Sequence, residues 1–191
     1  MAAATDEERS LFTQLSLGIP LILERMLGMP VTTRSLVVAD TEAPKAGGLG
    51  ISNLLAFYGV SDDAAFLRQT GHLVLRFSRI WWGSGVRVSG PQRDLVELAI
   101  GNSMSMRIQQ WIDDKPLDPE PMLSRLRLRG NGMAVGAMTF GASIFVALRS
   151  DDEKKEAFGE LTRLSWRTSV PDRDVLAWFR GHGIHVPALA P

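Results

Sequence analysis

Apolar residues recur at helical spacing over most of the chain. Over 61–82, Phe66, Leu67, Val74, Phe77 and Trp81 fall along one side, while Arg68, His72, Arg76 and Arg79 line the other. Ser61 caps this predicted helix, with Asp62 and Asp63 in its first turn, where the helix dipole favours negative charge. Over 91–112, Val96, Ile100, Met104, Ile108 and Trp111 repeat at the same period, after a Ser89-Gly-Pro-Gln92 capping box. Shorter helices are predicted at 6–18, 20–28, 51–58 and 119–129, the last capped by Asp118 and closed by Gly130. A second capping box, Ser150-Asp-Asp-Glu153, opens a helix at 150–166 with Phe158, Leu161 and Leu164 inward. A final helix, 171–180, carries Val175, Leu176 and Phe179 on one face and stops at Gly181.

Two stretches break the amphipathic pattern. Residues 34–39 (RSLVVA) read as a strand, short and partly β-branched, with 86–88 or a neighbouring subunit as partner. Residues 130–148 carry no charge and show neither a helical nor an alternating polar stripe. A helix apolar all round is buried in protein or in lipid. This run is long enough for a span but rich in Gly and Ala, and it reads as a central core helix. Gly132, Gly136, Ala137 and Gly141 suit close helix approach, and Gly136 is expected at a backbone contact. These elements predict an all-α fold: one compact, bundle-like domain over 1–191 with at most one short strand or hairpin. Residues 1–5 and 182–191 are expected to be flexible tails.

Composition narrows the chemistry. There are 21 Lys+Arg and 21 Asp+Glu, so neither a basic nucleic-acid tail nor an acidic solvating chain is present. With no Cys in the chain, disulfide frameworks, thiolate metal sites and cysteine catalysis are excluded. The first ten residues carry acids and no apolar run, so the expected setting is cytoplasmic rather than secreted.

Candidate catalytic and cofactor signals are weak. Gly47-Gly48-Leu49-Gly50 lacks the spacing of a phosphate-binding loop and reads as a flexible loop. His182 and His185 stand three apart in a Gly/Pro tail and read as surface residues. No nucleophile elbow surrounds Ser84. The adjacent acids Asp62/Asp63, Asp113/Asp114 and Asp151/Asp152 sit at helix ends, which capping explains. No catalytic residue, metal or cofactor is assigned.

What remains is contact chemistry. Mean hydropathy is slightly positive (+0.03), and the chain has 5 Trp, 8 Met and 8 Phe. Trp81 and Trp82 project about 100° apart on one helix, so both cannot enter one narrow seam. Trp82, with Arg79 one turn earlier, therefore makes an interface anchor. The first reading is a non-enzymatic assembly protein that self-associates or binds a protein partner through Arg79, Trp81 and Trp82. The second is a nucleic-acid-coating subunit lined by Arg68, Arg76, Arg79, Arg125, Arg127 and Arg129, given 17 Arg against 4 Lys. The third is an enzyme with a helical active site that no motif marks.

Overall fold

The computed structural model describes residues 86–128 and 132–188, the strand residues 37–40 and 54–57, and the single positions 6, 10, 13, 14, 18, 21 and 24. Those single positions are all helical and fall within the expected 6–18 and 20–28. The helix expected over 61–82 lies outside the described residues.

The described order is β1 (Val37–Asp40), β2 (Leu54–Phe57), β3 (Arg87–Ser89), α1 (Arg93–Asp113), α2 (Glu120–Leu128), α3 (Gly132–Ser150), α4 (Asp152–Leu164), β4 (Ser169–Pro171) and α5 (Asp172–Gly181). Helices dominate, as the periodicity implies. The strands form two parallel pairs rather than one strand or hairpin. β1 pairs with β2, Val37 opposite Leu54, and β3 pairs with β4, Val88 opposite Val170. Residues 54–57 are thus a strand, not part of a short helix, and 86–88 serve β4 rather than 34–39. A four-residue apolar run has no period long enough to separate strand from helix; its pairing partner decides.

α1 and α3 form the central pair. Gly141 on α3 lies so close to α1 that a Cβ there would stand 2.7 Å from both the Ala99 carbonyl oxygen and Asn102 Cβ. Gly136, expected at a backbone contact, meets only a side chain: its Cβ would stand in ordinary van der Waals contact with Leu95 Cδ1 of α1 at 3.8 Å. The two glycines are five residues apart, about 140° around the helix, and only Gly141 meets the α1 backbone. α3 is long and apolar enough to cross a membrane. Here Ala137, Phe140, Gly141, Ala142, Ile144 and Phe145 are buried inside the protein.

Three rings join the later helices to this pair. Phe179 of α5 meets Phe140 of α3 edge-on at 5.1 Å and Phe158 of α4 at 5.9 Å between centroids. All three are fully buried. A second, smaller cluster places Leu123 of α2 against Met106, Ala142 and Phe145.

The helix ends show where local signals hold and where they fail. Asp118 accepts the Glu120 N–H at 3.0 Å, as its sequence position predicts. The α4 cap is Asp151, which accepts the Lys154 N–H at 3.0 Å, rather than Ser150. Ser150 ends α3 and donates its hydroxyl to the Val146 carbonyl. Ser89 is likewise no cap: it lies in β3, and the free N–H of Gln92 is taken by Asp172 Oδ2 at 2.6 Å.

α5 closes at Gly183, whose φ of +68° is the left-handed conformation, with the Ile184 N–H bonded to the Phe179 carbonyl at 2.9 Å. This ending folds Ile184 (3% exposed) into the core, with Val186 packed beside it. Residues 182–186 are therefore docked rather than a loose tail. The sequence shows the helix stop but not the apolar pocket that receives Ile184.

Candidate interaction surface

Several of the polar groups singled out in the sequence are, among the described residues, engaged in local structure. No group of three or more His, Asp or Glu residues is placed to hold a metal among the described residues. His182 stacks on Trp178 with centroids 3.9 Å apart, and its Nδ1 lies 2.8 Å from the Trp178 carbonyl oxygen. His185 is exposed on the following segment. Asp172 is only 7% exposed and accepts two backbone N–H groups, from Gln92 and Arg173. Asp114 closes α1 with a left-handed φ of +47°. Asp152 pairs with Lys155 at 3.6 Å. Asp151 is held below the usual carboxylate range, first by the Lys154 backbone N–H and then by the Lys154 side chain.

Bare apolar side chains on helix faces are the more informative feature. On α2, Leu123 points inward, and Arg125 and Leu128 occupy the opposite face, with Leu128 88% exposed. On α4, Phe158 and Thr162 are buried. Glu153, Glu156, Glu160 and Leu164 are all exposed. At 100° per residue these four lie within an arc of about 80°. Leu164, expected inward, is instead 74% exposed. It stands six residues from Phe158, about 240° around the helix, so the two cannot share a face. Met122, Met133 and Val146 add further exposed apolar area.

The expected site residues divide sharply. Arg68, Arg76, Arg79, Trp81, Trp82 and Arg129 lie outside the described residues. Arg125 and Arg127 are both exposed on α2 but point about 200° apart. Arg127 Nη1 is bound to Glu120 Oε1 at 2.7 Å, whereas no ion pair engages Arg125 among the described residues. These two arginines therefore form no joint anion groove. Sequence reasoning passed over Leu128 and set Leu164 inward, although both sit on the polar side of their helices at ordinary 3.6-residue spacing. Comparison with protein-family models, with curated proteins and with solved structures finds no match.

Proposed function

We propose that this chain is a non-enzymatic assembly protein, acting in the cytoplasm, that self-associates through apolar surface. The observation that carries this reading is the pair of nearly bare leucines, Leu128 and Leu164, on the outward faces of α2 and α4. Single exposed leucines are ordinary on a protein surface. Each of these two ends its helix on the side turned away from the core, beside charge that no ion pair engages among the described residues, the mixture that interfaces use. Commitment of Asp151, Asp152, Asp172 and His182 to helix ends and ring stacking supports a structural rather than catalytic role. Arg79, Trp81 and Trp82 belong to the same reading as a further anchor.

Light scattering on the eluting full-length chain, over a concentration series, tests it. Growth of the mass with concentration is the expected result. A monomer at every concentration overturns self-association. Repeating the series with RNA at two salt levels separates the alternative: assembly that requires RNA and dissolves in salt selects a nucleic-acid-coating subunit.

A further inference from the structure

We propose that the outward face of α2 docks on the outward face of α4 of a second copy, so that the chain assembles head to tail; this rests on the self-association reading above. The two faces are complementary in both respects that matter. Each presents one exposed leucine, Leu128 or Leu164. The charges differ in sign: Arg125 stands beside Leu128, whereas Glu153, Glu156 and Glu160 lead to Leu164, and the exposed Arg163, about 20° from Glu156, leaves that α4 face net acidic. No ion pair engages Arg125 or the three glutamates among the described residues. Their charges are thus available to a partner.

The faces cannot satisfy each other within one chain. α2 turns Leu123 into the cluster with Ala142 and Phe145 of α3, and α4 turns Phe158 into the main core. Arg125 with Leu128, and the glutamate row, are the sides left over. Nor do like faces pair well. An α4–α4 contact about a two-fold axis would set one glutamate row against another, and like charges brought together disfavour association. Opposite faces place Arg125 against Glu156 or Glu160 and one leucine against the other. That contact is heterologous, so a pair of copies keeps one free face of each kind, one on each copy. Such an arrangement closes into a ring or grows as a filament, according to the rotation between copies.

Charge reversal with complementation tests the pairing on the full chain. The variants are Arg125→Glu and the double variant Glu156→Arg with Glu160→Arg, each checked for a wild-type far-UV circular dichroism spectrum. Arg125→Glu has two acidic faces and the double variant two basic ones, so each alone is expected to be monomeric where the wild type associates. Mixed one to one, they restore opposite signs at every contact, and association is expected to return. Wild-type association is also expected to weaken about tenfold from low to high salt. Leu128→Ser with Leu164→Ser probes the apolar half without altering charge and is expected to abolish association. If the wild type associates and none of these variants changes its mass, the α2–α4 pairing is overturned while self-association stands. Failure of the mixture to associate, when both variants alone are monomeric, also overturns the pairing. A wild type that is monomeric throughout overturns both.

Discussion

Asp172 accepts the backbone N–H of Gln92 at 2.6 Å, joining the start of α5 to the start of α1 across 80 positions of sequence. Its other oxygen accepts the Arg173 N–H, also at 2.6 Å. One buried carboxylate thus serves the N-termini of two helices, each entered from a strand of the same parallel pair. Both helices have orphan N–H groups and a positive dipole end there, so a single negative group satisfies both.

Asp172→Ala is expected to lower stability by about 2–3 kcal/mol, the scale of a lost cap plus a charged buried hydrogen bond. Asp172→Asn keeps one acceptor oxygen and is expected to lose less. Urea midpoints at fixed slope measure both; an alanine variant with the wild-type midpoint would show that water replaces the carboxylate.

Gly90→Ala is expected to be nearly as harmful. At Gly90 φ is +121°, and an added Cβ would run into the Asp172 carboxylate. Strain at such a backbone position is on the order of 1–3 kcal/mol, and displacement of Asp172 adds to it. Combining Gly90→Ala with Asp172→Ala is expected to cost less than the sum of the two, because both disturb one contact. Strict additivity in the double-mutant cycle would contradict this.

Gly141→Ala and Gly136→Ala are expected to move stability in opposite directions. The first must push α1 and α3 apart around the Ala99 carbonyl, and overpacking of this kind typically costs about 1–3 kcal/mol. The second has room against Leu95, and replacing a helical glycine by alanine gains up to about 1 kcal/mol. Thermal midpoints of the two variants, measured side by side, check the assignment of the helix contact.

Acid sensitivity is expected at the start of α4. The Asp151 carboxyl is shifted down in the folded state, chiefly by the Lys154 N–H it accepts. Its stabilisation is therefore present above the ordinary carboxylate pKa of about 4 and is lost as pH falls through the lower, folded value. Asp151→Asn can still cap the helix but carries no charge. Wild-type stability is expected to exceed the variant's near neutrality, with the gap closing in acid. A gap independent of pH would assign the difference to something other than charge.

Local signals in the sequence determined the helices at 93–113, 120–128, 132–150, 152–164 and 172–181 to within a few residues. Period, turn residues and short-range caps act within a turn or two of helix, so they are written in neighbouring positions. Asp118 capping Glu120 is such a case. The tertiary structure decided what depends on distant partners. It put Asp172, not Ser89, at the start of α1, and gave the contact with the α1 backbone to Gly141 rather than Gly136. It turned 54–57 into a strand by supplying β1, and it drew Ile184 into the core. It also left Leu128 and Leu164 bare. A sequence pattern shows that a residue is apolar and which neighbours share its helix face; whether another element covers that face depends on the packing of the whole chain.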